Sequence, residues 1–139
     1  MALAVREVMN GNVVTLPQSA PLVDAARRMR DADIGDVVVV DGGRLAGLVT
    51  DRDIVVRAIA DGKDPRATTL ADICSGDVVT VAPDDSIDHA AQVMRERAVR
   101  RVPVVEAGNP VGIVSLGDFA IERESSTPLA DISAAKPNT

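Results

Sequence analysis

The sequence predicts an α/β module made of two copies of one unit, each running helix, strand, helix, strand, strand, helix, joined by a pseudo-two-fold axis into one compact body. Three observations lead there. The chain repeats itself: Val5–Ile59 lies on Leu70–Glu124 without a gap, matching Gly11 with Gly76, Thr15 with Thr80, Met29 with Met94, Gly47 with Gly112 and Asp53 with Asp118. Within each copy the apolar residues switch between helical spacing and short Val-rich runs. A chain of 139 residues, 46% hydrophobic and 26% charged, suits one globular module and neither a disordered chain nor two large domains.

Each copy opens on a short helical turn, carried by Val5, Val8 and Met9 or by Leu70, Ile73 and Cys74. A brief β-branched strand follows, at Val13–Thr15 or Val78–Val81. The next helix starts at Ser19 and Pro21 or at Asp85 and Ser86. It buries Leu22, Ala25, Ala26 and Met29, or Ile87, Ala90, Ala91 and Met94, at the spacing of one helical stripe. Val37–Val40 and Val102–Val105 read as strands buried on both faces. Turns at Asp41–Gly43 and Ala107–Pro110 fold them into hairpins with Leu45–Val49 and Val111–Val114, and a last helix begins near Asp51 or Leu116, carrying Phe119 and Ala120 in the second copy. The organisation expected is therefore repeat one over residues 5–60, a linker over 61–69 with Gly62 and Pro65, repeat two over 70–124, and a mobile tail over 125–139. A repeat of this size buries too little surface to be secure alone, so the copies are expected to pair.

Charge and composition exclude several functions. With 15 basic and 21 acidic residues the net charge is −6, and the basic residues form no run, so a nucleic-acid backbone would be repelled. Phe119 is the only aromatic residue, which leaves no stacking platform for single strands. No basic leader or membrane-length apolar stretch is present, and the chain is expected to be soluble and cytoplasmic. Cys74 and His89 stand alone in their residue types, so neither an intrachain disulfide nor a zinc site of Cys and His is expected. No nucleophile is paired with a base, and the chain reads as non-enzymatic, with no metal and no required cofactor.

The most specific signal ends the last strand of each copy: Gly47-Leu-Val-Thr50-Asp51-Arg52-Asp53 and Gly112-Ile-Val-Ser115-Leu116-Gly117-Asp118. A hydroxyl residue closes the strand and an Asp follows in the first helical turn. Such an Asp can accept two hydrogen bonds from a ribose diol, while the hydroxyl and the free N–H groups of the turn can face a phosphate. The same spacing also closes a helix end as a capping box without any ligand, as in Thr69-Leu-Ala-Asp72. The four-residue pattern by itself favours capping; its recurrence with the preceding Gly and strand shifts the reading to the ligand.

This arrangement resembles the cystathionine-β-synthase (CBS) domain family, and the tandem copies resemble a CBS pair, or Bateman module. The resemblance spans Val5 to Glu124 through Gly47, Thr50, Asp53, Gly112, Ser115, Asp118 and the Val99–Val105 strand. It extends to stand-alone bacterial CBS pairs of the hypoxic-response type through Thr50–Val55 and Gly62–Pro65. What it implies is a regulatory module that binds AMP, ADP, ATP or S-adenosylmethionine and acts through a partner protein, as a homodimer. Asp53 and Asp118 would then hold ribose hydroxyls, and Thr50 and Ser115 would reach ribose or phosphate. Thr15, Val37 and Val38 would line one adenine pocket, and Thr80, Val102 and Pro103 the other. The copies depart from one another where Gly35-Asp36 faces Arg100-Arg101 and Asp51-Arg52 faces Leu116-Gly117, so Arg52 would serve one site and Arg100 or Arg101 the other, the alternative for all three being a solvated surface role. The rival reading is a dimerisation or protein-interaction module that holds no nucleotide.

Overall fold

The Val-rich runs do become hairpins, and the computed structural model describes them within residues 3–117. Asp118, the last helix through Phe119 and Ala120, and the tail over 125–139 lie outside the described residues. In chain order the elements are a 3₁₀ turn (Val5–Glu7), β1 (Thr15–Pro17), α1 (Leu22–Ala32), β2 (Asp36–Asp41), β3 (Arg44–Thr50), α2 (Asp51–Asp53) running on as a π-helical segment (Ile54–Ile59), α3 (Leu70–Ile73), α4 (Ile87–Arg97), β4 (Arg101–Glu106) and β5 (Asn109–Ser115).

The hairpins β2–β3 and β4–β5 have the same register. Val39 faces Gly47 and Val104 faces Gly112, with a one-residue bulge immediately beyond each pair. Both turn through two residues of positive φ, Gly42 and Gly43 in one, Ala107 and Gly108 in the other, as type I′ turns require. The third strand is less equal. β1 pairs parallel with β2, starting at Thr15 where the sequence suggested Val13. The strand expected at Val78–Val81 does not form: only Val81 bridges, parallel to Val104 and in the register of Leu16 on Val39. The reason lies across the ladder. Val38 donates its N–H to the Val14 carbonyl at 3.0 Å, whereas its counterpart Pro103 has no N–H to offer the Val79 carbonyl.

Helices cover one face of each sheet. Leu22, Ala25 and Met29 of α1 pack with Val37, Val39 and Val49, and Ile87, Ala90, Ala91 and Met94 of α4 with Val102, Val104 and Val114. Ala26, expected in the buried stripe, is exposed; it lies at the margin of the stripe, where its counterpart Ala91 is covered. Pro21 begins α1 without a side-chain cap, whereas Ser86 caps α4 by accepting from the His89 N–H at 3.1 Å.

The compact units do not coincide with the sequence repeats. Of the described residues, 3–12 and 79–117 form one unit and 13–78 the other. The opening turn of repeat one thus belongs to the core of repeat two, where Val5 is fully buried with Val8 and Met9 packed around it. Reciprocally, Leu70, Ile73 and Cys74 pack in the core of repeat one. The exchange is matched bond for bond. Val5 donates its N–H to the Asp85 carbonyl as Leu70 does to Ala20, and Ile87 donates to Leu3 as Leu22 does to Thr68. The linker residues Pro65 and Thr68 accept from Val23 and Leu22, so this stretch is tied to the start of α1.

Each exchanged segment then crosses the outer strand of its hairpin. Ser75 and Leu48 exchange both main-chain hydrogen bonds, at 3.1 and 3.2 Å, and so do Asn10 and Ile113, at 2.8 and 3.0 Å. This crossing explains the glycine ahead of each hydroxyl motif. A Cβ on Gly47 would lie 2.8 Å from both the Cys74 Sγ and the Ser75 carbonyl, and one on Gly112 would lie 2.5 Å from the Met9 Sδ and 3.1 Å from the Asn10 carbonyl.

Candidate functional site

The motif residues sit where a strand hands over to a helix. Thr50 is the last residue of β3 and the N-cap of α2. Its Oγ accepts from the Asp53 N–H at 3.0 Å, and Asp53 Oδ2 accepts from the Thr50 N–H at 2.9 Å. The capping box of the sequence analysis is therefore closed in repeat one. Asp53 Oδ1 lies 3.7 Å from the Nε of Arg57, whose Nη1 also donates to the Ile73 carbonyl at 3.2 Å. The carboxylate is only 19% exposed, yet an ionised carboxylate offers about four lone-pair directions, so capping leaves acceptor capacity over. Arg57 was not singled out from sequence, although its position four residues after Asp53 on a helix is a recognisable ion-pair spacing.

In repeat two, Ser115 ends β5 as Thr50 ends β3. Its expected partner Asp118 lies outside the described residues. Opposite the hydroxyls the strands differ: Thr50 pairs across the ladder with Asp36, and Ser115 with Arg101. Asp36 is 7% exposed, the single charged side chain among the buried described residues. The sequence marked Asp36 only as a departure from Arg101; its place at the head of the buried Val37–Val40 run is the signal of its burial.

The adenine-pocket candidates divide between sheet faces, because neighbouring strand residues point to opposite sides. Val37 and Val102 belong to the helix-covered cores, which leaves them only main-chain atoms to offer a ligand. Val38 and Pro103 are also buried, on the other face of their strands. Thr15 opens β1 half-buried beside Val38, while Thr80 is exposed just before the Val81 bridge. Arg52, Arg100 and Arg101 are exposed. Arg100 accepts the Leu116 N–H at its carbonyl at 2.9 Å, as Gly35 accepts that of Asp51.

Two further groups bear on chemistry. Burial pushes the Cys74 thiol up from its ordinary range, which disfavours the nucleophilic thiolate. Among the described residues no group of three or more His, Cys, Asp or Glu side chains is placed to hold a metal ion, and no helix is long and apolar enough to cross a membrane.

The strand–hydroxyl–helix–Asp corner described in repeat one, and its sequence counterpart in repeat two, fall within one family match. The CBS domain family model matches residues 5–59 and again 70–124. The chain belongs to the CBS domain family. As a CBS pair it is 36% identical over 123 residues to the CBS domain-containing protein YhcV of Bacillus subtilis, covering 88% of this chain and 87% of that one. It is 39% identical over 116 residues to hypoxic response protein 1 of Mycobacterium tuberculosis, covering 83% and 81%. A hypoxic response protein I has been solved with two coordinated zinc ions, at TM-score 0.78 and 37% identity, covering 86% of this chain and 98% of that one. The CBS pair of protein MJ0100, solved in complex with 5′-methylthioadenosine and S-adenosyl-L-methionine, superposes at TM-score 0.81 with 26% identity, covering 91% and 100%.

Proposed function

We propose that this CBS pair is a non-enzymatic regulatory module that binds adenosyl compounds, AMP, ADP, ATP or S-adenosylmethionine, and passes their presence to a partner protein. The observation that carries the reading is the hydroxyl-and-Asp corner at the end of β3, recurring as Ser115 and Asp118 in the second repeat. The MJ0100 pair, of the same fold, holds two adenosyl ligands, which supports the ligand class. Asp53 and Asp118 serve the ribose hydroxyls, and Thr50 and Ser115 the ribose or phosphate. Thr15 and Val38, and Thr80 and Pro103, flank the base, with Val37 and Val102 contributing main-chain groups.

The module acts as a cytoplasmic homodimer. Val55, Val56 and Ile59 on the π-helical segment are each about half exposed, and an apolar row of this kind suits a symmetric contact with a second copy. A second reading, an interaction module that holds no nucleotide, is favoured by one observation: Asp53 is already engaged by Thr50 and Arg57.

Calorimetry on Asp53→Ala and Asp118→Ala separates the two. Loss of hydrogen bonds to a charged acceptor, at about 1.5–3 kcal/mol, weakens adenosyl binding by roughly 10- to 150-fold with the fold retained. Unchanged affinity in both, with apo stability lower by about 0.5–2 kcal/mol in denaturant melts, makes these residues helix caps and removes them from the binding site; absence of adenosyl binding by the wild-type chain ends the ligand reading.

A further inference from the structure

One side chain joins the hydroxyl-and-Asp corner of repeat one to the segment that crosses β3. Arg57 belongs to the π-helical segment, a rare backbone form often met at functional sites. Its Nε lies 3.7 Å from Asp53 Oδ1, and its Nη1 donates to the Ile73 carbonyl at 3.2 Å and to the Ser75 Oγ at 3.5 Å. Ile73 is the last residue of α3, so its carbonyl is one that the helix itself leaves without a donor. Two residues on, Ser75 exchanges both main-chain hydrogen bonds with Leu48.

The second copy repeats the crossing without the arginine. Val8 and Asn10 stand in its exchanged segment where the first has Ile73 and Ser75, and Arg57 is matched in sequence by Glu122, which has no N–H to donate from its side chain. Asn10 and Ile113 exchange the same pair of main-chain bonds as Ser75 and Leu48.

The arginine is poised between its partners and not locked to either. At 3.7 Å the Asp53 contact is an ion pair too long for a hydrogen bond, so Oδ1 keeps lone pairs open to a donor. The guanidinium is half exposed, and holding so long a side chain in one place costs rotamer entropy that a solvated pair barely offsets. A donor that fixes the Asp53 carboxylate removes part of that cost, because the arginine then meets a partner already ordered.

We propose that Arg57 makes the hold on the exchanged segment depend on Asp53, so that hydroxyl donors seated on this carboxylate tighten the crossing of Ser75 over Leu48, in repeat one alone. The hydroxyl donors rest on the function proposed above; the tie from Asp53 through Arg57 to the segment does not.

Amide hydrogen exchange of the full chain, followed residue by residue by NMR, tests both layers, with Asn10 and Ile113 as the reference crossing. The variants are Arg57→Gln, Asp53→Asn, which keeps an acceptor for the Thr50 N–H, and the two together. Without ligand, each single variant is expected to lower protection of the Leu48 and Ser75 amides roughly three- to tenfold, with Asn10 and Ile113 unchanged and the double variant no worse than the weaker single. Undiminished protection in either single variant, equal loss at both crossings, or additive losses in the double variant overturn the tie. The ligand probe is adenosine, which carries the base and ribose diol common to the proposed ligands. At saturation the wild-type chain is expected to gain more protection at Leu48 and Ser75 than at Asn10 and Ile113, and Arg57→Gln to gain equally at both crossings. Equal gains in the wild type overturn the tightening. Adenosine that never binds, with the ligand-free pattern as expected, retains the tie and removes the adenosyl reading and the tightening with it.

Discussion

The two hairpins are the same structure written in different residues. Their registers, bulges, crossing segments and exchanged hydrogen bonds agree position by position. The differences gather at single substitutions. Val38 completes a parallel ladder that Pro103 cannot. Gly42 sits comfortably at positive φ where Ala107 does not, and Asp33 ends α1 in the left-handed region where Ala98 ends α4. Asp36 lies opposite one hydroxyl and Arg101 opposite the other. A duplicated fold is held by bonds that every residue but proline can make, so side chains are free to diverge at the turns, caps and strand-to-helix corners.

That equivalence can be broken most forcefully through the exchanged segments. Leu70 is fully buried in the core of repeat one, and Leu70→Ala is expected to cost about 2–5 kcal/mol. Val5→Ala, its counterpart in the core of repeat two, removes fewer groups and is expected to cost about 2 kcal/mol. Hydrogen exchange should locate each loss in the other repeat: β1–β3 loosen in the Leu70 variant and β4–β5 in the Val5 variant. Loosening confined to the repeat that carries the mutation contradicts the exchange.

The crossing glycines sharpen the comparison at smaller scale. At Gly47 an added methyl meets a main-chain carbonyl at 2.8 Å, whereas at Gly112 the nearest contact is the end of a flexible methionine. Within the roughly 1–3 kcal/mol typical of overpacking, Gly47→Ala should fall near the top and Gly112→Ala near the bottom in urea melts. Equal losses would mean that the segment around Ser75 yields as readily as the Met9 side chain. Smallest are the turns. Exchanging the residues between hairpins, Ala107→Gly should raise stability by about 1 kcal/mol and Gly42→Ala should lower it by about the same amount, as left-handed backbone costs a residue with a Cβ. A thermal melt showing both changes destabilising would exclude matched type I′ turns.

Most of the elements were legible because their signals are local. The stripes Leu22–Met29 and Ile87–Met94 and the runs Val37–Val40 and Val102–Val105 carry helical and strand periodicity in a few residues, and paired Gly positions mark the turns. The motif at Thr50 and Asp53 was legible as chemistry but not as geometry, since the capping bonds it makes use the same atoms that the proposed binding role would use. What escaped was non-local. Nothing near Val5 says that its partners lie beyond residue 79, and nothing near Val78 says that a proline across the ladder withholds a hydrogen bond. Adjacent residues such as Val37 and Val38 look equivalent in a list, yet the pleat sends them to opposite faces.

The reciprocal exchange also sets an order in time for the growing chain. Val5, Val8 and Met9 are made long before the core that receives them, which is built from Val81 to Val114. At about 5–20 residues per second, translation leaves that apolar arm waiting for several seconds or longer before its berth exists. Repeat one, by contrast, is complete as soon as Leu70 and Ile73 emerge, so it can close while its own opening turn is still unclaimed. During that interval the nascent chain is half folded with one apolar arm uncovered, and sequestration of residues 3–12 by a chaperone, or by the same arm on a neighbouring ribosome, competes with correct assembly.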